Sequence, residues 1–162
     1  MEVVGSHLRA YTMTLHGTGD ADLFGRSSFN RYYYATYLAV RKELLALLPD
    51  APTQHATVPD YLRGSIQQRI RAIKTKAKRA GDPRLMQSCS VAKVAAEELA
   101  SLLFKGYKTR VVADYEPDVS VQFATSSHEF SLDTVSSSEA QSWPHRARYL
   151  MRSISEVLRS AE

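Results

Sequence analysis

A polar stripe crosses an otherwise apolar segment near the start of the chain, and it could carry chemistry. Arg26, Asn30 and Tyr33 recur at i, i+4 and i+7, so a helix places them on one face, with Arg31 one position further round. Because an unpaired guanidinium is costly to bury, the stripe indicates either a cleft or a structural polar network. The acids considered for such a network are Asp22 and Asp114.

A second pair of charged residues lies in the later half of the chain. Arg110 and Asp114 are four residues apart. On a helix this spacing gives an ordinary surface ion pair worth about 0.3–0.5 kcal/mol. The same two groups in a cleft could instead stabilise charge and transfer a proton, and in a third arrangement Asp114 caps a helix end. The residues alone leave these interpretations open.

A basic segment between these two regions carries six cations and no acid. Such a run is usually a solvated helix face. Its density and unmixed sign also fit phosphate binding, because phosphate contacts supply most of the non-specific affinity for nucleic acids. We therefore predict a nucleic-acid or polyanion surface made of Arg69, Arg71, Lys74, Lys76, Lys78 and Arg79.

The remaining polar candidates are tyrosines and histidines. The four tyrosines near the polar stripe could stack nucleobases, but tyrosines at helical spacing more often fill a core, and we favour the core. His55 stands beside a predicted helix start, where a lone histidine is usually structural. The histidines are too scattered for a metal site. The four tyrosines are Tyr32, Tyr33, Tyr34 and Tyr37.

Length and composition narrow the class of protein. The 162 residues suit a single domain, 1–162, and their 44% hydrophobic and 23% charged content excludes intrinsic disorder as the default. Cys89 is the one cysteine, which excludes an intrachain disulfide and a cysteine-based zinc site, and we expect no cofactor. The chain start does not resemble a signal peptide, and no apolar run approaches the ~20 residues of a membrane span. We therefore expect a cytoplasmic protein.

Apolar residues recur at three- and four-residue spacings through most of the chain, which predicts helices. Glycine- and proline-containing segments break the pattern, as turn-forming residues do. Thr57 with Pro59, and Ser136 with Glu139, are typical of helix starts. The predicted helices cover approximately residues 4–15, 20–48, 57–80, 83–107 or beyond, and a last helix from 136, kinked at Pro144, or only from 143, to the chain end.

Two of these helices receive a predicted apolar face. The face of the first comprises Val4, Leu8, Tyr11 and Leu15. The seam of the fourth comprises Val91, Val94 or Ala95, Glu98 or Leu99, and Leu102 or Leu103. After Pro117 apolar and polar residues alternate, so residues 119–123 and 129–133 are predicted to form a hairpin around residues 125–128. The fold class is therefore all-α, a bundle of about five helices with a small β-hairpin before the last helix.

Two stretches together resemble the HEPN family of small helical bundles. Residues 26–37 are similar to the family's small-residue, Arg, aromatic, Tyr-Tyr-Ala signature on its long second helix. Residues 110–115, followed by residues 137–140, resemble its Arg-x-x-Ala-Asp-Tyr and Ser-x-Glu-Glu-Ala ending, and residues 54–58 resemble the stretch that opens the third helix. The resemblance extends from Asp20 to Leu158 and implies a HEPN-like up-down bundle.

The resemblance implies action on RNA. Many HEPN proteins are metal-independent endoribonucleases of toxin–antitoxin or antiviral defence systems. They usually form homodimers, and some act with a nucleotidyltransferase-type partner. Their chemistry uses an arginine and a histidine separated by four to six residues. The histidine handles a proton of the ribose 2′-OH or of the leaving oxygen, and the arginine stabilises phosphorane-like charge.

This chain departs from that pattern at the catalytic histidine. Asp114 and Tyr115 follow Arg110 where the active form would carry His-x-Tyr. Only Arg9 and His16 have the required spacing, and they precede the signature helix. An unperturbed aspartate has a pKa of about 3.9, so it is a weak general base at neutral pH.

Two functional hypotheses follow. In the first, the chain is a HEPN-like metal-independent endoribonuclease, in which Arg110 or Arg31 stabilises phosphate charge and Asp114 or His55 accepts the proton. In the second, it is a catalytically degenerate HEPN module that binds RNA or a partner protein as an accessory subunit. The predicted site residues are Arg26, Asn30, Arg31, His55, Arg110, Asp114 and Tyr115.

Overall fold

Helices account for most of the chain. The computed structural model describes residues 1–124 and 129–160. Its helices are α1 (Glu2–Thr14), α2 (Asp20–Leu47), α3 (Val58–Tyr61), α4 (Gln67–Ala80), α5 (Pro83–Tyr115) and α6 (Ser137–Arg159), and a π-helical segment (Leu62–Ile66) joins α3 to α4 without a break. The predicted all-α helical bundle is thereby confirmed, with α3, the π-helical segment and α4 together forming the predicted third helix.

The helix boundaries follow local chemistry. Thr57 occupies the N-cap position of α3, and Pro59 follows in its first turn, where a missing N–H costs nothing. Gly81 ends α4 in the left-handed region, with φ of 69°, a conformation that glycine adopts without strain. The Asp82 carboxylate then accepts the Leu85 N–H at 2.9 Å and starts α5. These boundaries agree with the predicted ones.

A small antiparallel sheet precedes the last helix. In the described residues it comprises β1 (Gln122–Phe123), β2 (Phe130–Leu132) and β3 (Val135–Ser136), paired in that order. Phe123 pairs with Phe130, as the predicted hairpin requires, but the strands are shorter than predicted and β3 was not expected. The turn predicted at residues 125–128 lies outside the described residues.

The chain divides into two compact units. The first unit comprises residues 1–37 and 105–145. Its core contains Phe29, Tyr32, Tyr33 and Tyr37, each at most 2% exposed, so the core interpretation is confirmed for three of the four tyrosines. Burial raises the pKa of Tyr33. Gly106 fits against that ring because a Cβ there would lie 3.0 Å from Tyr33 Cδ2.

The second unit comprises residues 38–104 and the chain from residue 146 onward. Its core repeats the spacing predicted for the third helix, since Leu62, Ile66, Ile70 and Ile73 are all buried. In the part of the chain that the structure describes, no helix is both long and apolar enough to cross a membrane. The other large buried side chains of this unit include Leu44, Leu99, Leu103 and Ile154.

Two predicted helix faces are wrong. In α1, Val4 and Tyr11 are exposed while Gly5 and Thr12 are buried, because a Cβ at Gly5 would lie only 3.0 Å from the Tyr32 ring. In α5, the predicted seam residues Val91, Val94 and Glu98 are exposed. The residues buried in their place are small, namely Cys89, Ala92, Ala95 and Ala96, which allow close helix approach.

The start of α6 resolves the alternatives around Pro144. The helix begins at Ser137, so the alternative start at Trp143 is wrong, and Pro144 lies inside it. The Ser136 Oγ accepts the Glu139 N–H at 3.1 Å, which confirms the predicted cap. The Glu129 carboxylate adds a second cap by accepting the Ser138 N–H at 3.2 Å and the Ser138 hydroxyl.

Candidate functional site

Three predicted site residues of the first unit form one cluster, which we call the Asp114 cluster: Asn30, Arg110, Asp114 and the adjoining Tyr115. The Arg110 Nε lies 2.6 Å from Asp114 Oδ2, one turn apart on α5. The Asn30 amide on α2 donates to Asp114 Oδ1 at 2.5 Å. One carboxylate is therefore held between an amide and a guanidinium.

The Asp114 cluster is partly accessible. The Arg110 and Asp114 side chains are 21% and 26% exposed. The Tyr115 ring faces the guanidinium, with 5.4 Å from Arg110 Cζ to the ring centroid. Burial opposes the charged form of Arg110, but the Asp114 carboxylate, with Tyr34 and Tyr115, raises the arginine's pKa overall.

The Asp114 cluster leaves two polar atoms imperfectly satisfied. Among the described residues, the buried Asn30 Oδ1 has no hydrogen-bond partner. The Arg110 Nε contacts Asp114 as an ion pair rather than as an aligned hydrogen bond. A buried acceptor without a partner costs about 1–3 kcal/mol, so Asn30 is held by its donor side alone.

The charges in the Asp114 cluster compensate each other, which limits its chemistry. Asp114 can accept a substrate proton only where Asn30 or Arg110 gives way, because both already occupy its oxygens. Arg110 can stabilise a phosphate only by sharing its charge with Asp114. The geometry is that of a closed network rather than of a free acid–base pair.

Arg26 does not join that cluster but binds main-chain carbonyls at the end of α5. Its guanidinium makes four hydrogen bonds, at 2.5–3.0 Å, out of the five N–H donors that an arginine carries. Asp22 lies 3.9 Å from Arg26 and accepts the Val121 N–H at 2.7 Å. This is the structural polar network that the sequence allowed, with Asp22 as its acid. The four carbonyls belong to Val112, Ala113, Glu116 and Val119.

The other predicted site residues of these regions lie apart from the Asp114 cluster contacts. Arg31 is exposed, and its Nη1 lies 3.8 Å from the Met1 sulfur. His55 belongs to the second unit. Arg9, the arginine with the family's spacing to a histidine, donates to the Ser137 hydroxyl at 3.1 Å, whereas His16 stacks on Phe123 with 4.5 Å between ring centroids. These two residues therefore have structural contacts of their own.

The predicted basic surface lies on α4 and is uncompensated. Five of its six cations are exposed, and Lys74 is half-buried with its Nζ donating to the Ser90 hydroxyl at 2.7 Å. Within residues 1–124 and 129–160, none of the six has an acid within 4.0 Å. The neighbouring Arg63, by contrast, is paired with Glu97 at 2.8 Å. The α4 cations are therefore available to a polyanion.

The six cations divide into two stripes, because 3.6 residues complete a helical turn. The groove stripe, Arg71, Lys74 and Lys78, has the i, i+3, i+7 spacing of one face and lines a cavity of about 280 Å³. Thr75 and Met86 complete the lining of this cavity, which we call the α4 groove. The outer stripe, on the other side of the same helix, consists of Arg69, Lys76 and Arg79.

Sequence reasoning missed some of the residues that shape these sites. Tyr34 interacts electrostatically with Arg110, and its position four residues after Asn30 on α2 was a signal that could have found it. Ser90 and Met86 come to the α4 groove from α5, and no local pattern in the sequence indicates that juxtaposition. The Asp114 cluster itself was predicted, apart from Arg26 and Arg31.

Comparison with known proteins adds no identity. No family model, curated protein or solved structure matches the chain. Among the described residues, no group of three or more His, Cys, Asp or Glu side chains could hold a metal ion. Functional conclusions therefore rest on the Asp114 cluster and the α4 cations.

Proposed function

We propose that this chain is a HEPN-like RNA-binding module that holds the phosphate backbone along α4. The observation that carries the proposal is the set of six α4 cations without an acid partner in the described residues. Unpaired cations attract phosphates without first breaking an internal ion pair, and released counterions supply the driving force. Such binding is independent of base sequence because phosphates carry no sequence information.

The proposal has a quantitative signature in salt. If all six cations contact phosphates of a single strand, log Kd changes with log salt by about 4, from ~0.7 per contact. Changing Lys74, Lys76 and Lys78 together to Ala should weaken binding for all RNA sequences and lower that slope by about 2. Fluorescence anisotropy with labelled RNA over a salt series measures both quantities.

A matched control removes the same charge elsewhere. Lys42, Lys93 and Arg152 are exposed and, within the described part of the chain, have no acid within 4.0 Å. Their joint change to Ala should leave the salt slope nearly unchanged. Absence of RNA binding in the wild type, or equal losses in the two triple variants, would exclude α4 as the specific binding surface.

A metal-independent endoribonuclease is the second candidate function. It is supported by the convergence of Asn30, Arg110, Asp114 and Tyr115, with partly exposed charged side chains, at the place where the HEPN resemblance locates its motif. Against it stand the missing histidine and the mutual neutralisation of Arg110 and Asp114. We therefore place it after the binding module.

One experiment separates these two candidates. Purified protein is incubated with total RNA in EDTA, and cleavage and melting are measured for wild type, Arg110→Ala and Asp114→Asn. The binding module requires no cleavage, and it requires both changes to lower stability by about 1–3 kcal/mol because each leaves a polar partner unsatisfied. Cleavage that Arg110→Ala abolishes at unchanged melting temperature would establish the ribonuclease instead.

The HEPN resemblance extends the proposal to partners and setting. We propose a cytoplasmic homodimer that acts in a toxin–antitoxin or antiviral defence system, with a nucleotidyltransferase-type protein as its partner. Light scattering of the purified chain tests the dimer. A monomer at all accessible concentrations would remove the dimer from the proposal without affecting RNA binding by α4.

A further inference from the structure

The two stripes of α4 differ in how firmly their cations are held. In the groove stripe, Lys74 is half-buried and donates to the Ser90 hydroxyl at 2.7 Å, and that hydroxyl donates onward to the Met86 carbonyl at 3.0 Å. The ammonium is therefore oriented before any ligand arrives. Among the described residues, no side chain of the outer stripe makes a hydrogen bond or an ion pair.

The stripes differ also in shape. The α4 groove encloses about 280 Å³ and carries three cations with no acid in its lining. That volume is just below the ~300–1,000 Å³ of sites for whole drug-sized ligands, so it suits one fragment of a polymer. Cations that converge on a concave surface give a stronger local potential than cations on a convex one, because low-dielectric walls focus the field.

We infer that the groove stripe, rather than the outer stripe, holds the RNA backbone, with a phosphate and its adjoining ribose seated in the α4 groove. This inference rests on the proposed RNA binding and specifies its site. The Thr75 hydroxyl, which donates to the Arg71 carbonyl at 3.0 Å, offers its oxygen as an acceptor beside the seat. The outer stripe contributes general attraction and makes no direct phosphate contact.

Two variants of equal charge test the inference. The groove variant changes Arg71, Lys74 and Lys78 to Gln, and the outer variant changes Arg69, Lys76 and Arg79 to Gln. Each removes three positive charges from the same helix and introduces the same side chain. With a labelled single-stranded RNA, the groove variant should lower the salt slope by about 2, whereas the outer variant should lower it by less than ~0.5.

The single changes Lys74→Gln and Lys76→Gln repeat the comparison with little risk to folding. Lys74→Gln should lower the slope by about 0.7 and Lys76→Gln should leave it unchanged. Melting curves confirm that every variant is folded. Equal losses in the two stripes, or a larger loss in the outer stripe, would overturn the inference and leave RNA binding by α4 standing. An absence of RNA binding in the wild type would overturn both.

Discussion

Replacing Arg26 tests whether the most heavily bonded arginine of the first unit is structural. Its side chain is 11% exposed and makes four hydrogen bonds to carbonyls in and after the last turn of α5. A hydrogen bond with a charged partner contributes about 1.5–3 kcal/mol. The bonds to the Glu116 and Val119 carbonyls lie in a mainly exposed segment where water replaces the lost donor. We therefore count only the bonds to Val112 and Ala113 at that value.

This gives an expected cost of about 3–5 kcal/mol for Arg26→Met, with less than ~1 kcal/mol of it from the cation at the helix C-terminus. Arg26→Lys keeps the positive charge but loses the planar fork, so it should cost about half as much. Urea unfolding followed by circular dichroism measures both values. Arg31→Met is the matched control, because Arg31 is an exposed arginine of the same helix and should change stability by less than ~0.5 kcal/mol.

A loss below ~0.5 kcal/mol for Arg26→Met would refute this reasoning. It would mean that water satisfies all four carbonyls as well as the guanidinium does. If RNA affinity or cleavage fell at the same time, Arg26 would belong to a ligand site, as its place in the family-like signature first indicated. Unchanged RNA binding together with the expected destabilisation would establish the structural role.

Two further predictions concern the α5 face and the α6 cap. Leu99→Ala should cost about 2–5 kcal/mol because Leu99 is fully buried, whereas Val94→Ala should cost less than ~0.5 kcal/mol because Val94 is 58% exposed; equal costs in urea unfolding would show that the buried face is misplaced. Hydrogen bonds from Ser138 and Ser136 lower the pKa of Glu129, so its stabilising effect is present above the ordinary glutamate pKa of about 4.3 and is lost as the pH falls through the folded-state value. Glu129→Gln should therefore lower the unfolding midpoint at pH 7, and its difference from wild type should shrink below pH ~4; a pH-independent difference would contradict this.

The helix boundaries could be predicted because their signals are local. Gly81, Asp82 and Pro83 each act on their own turn, and the buried positions of the π-helical segment and α4 repeat at regular spacing in large aliphatic residues. The faces of α1 and α5 could not be predicted in this way. Their buried residues are glycine, threonine, cysteine and alanine, which carry little hydrophobic signal, whereas the valines beside them carry more and lie in solvent.

The sites show the same division. The Arg110–Asp114 pair was predictable since both partners lie one turn apart on one helix. The role of Arg26 was not, because its partners are main-chain carbonyls that every residue carries alike. For α4, the six cations are plain in the sequence, but the groove depends on Ser90 and Met86 of another helix. Side-chain charge is written in the sequence, while the geometry that compensates it is not.

Compensation of charge is also what ranks the two candidate functions. An arginine already paired with a carboxylate must exchange that partner for a phosphate, so only the difference between the two contacts favours the ligand. Arg110 faces this exchange with Asp114, whose other oxygen Asn30 holds in place. The α4 cations face no such competition, so the full interaction with a phosphate favours binding. A chain with this distribution of charge binds RNA through α4 first, and any cleavage at the Asp114 cluster requires the Arg110–Asp114 pair to open.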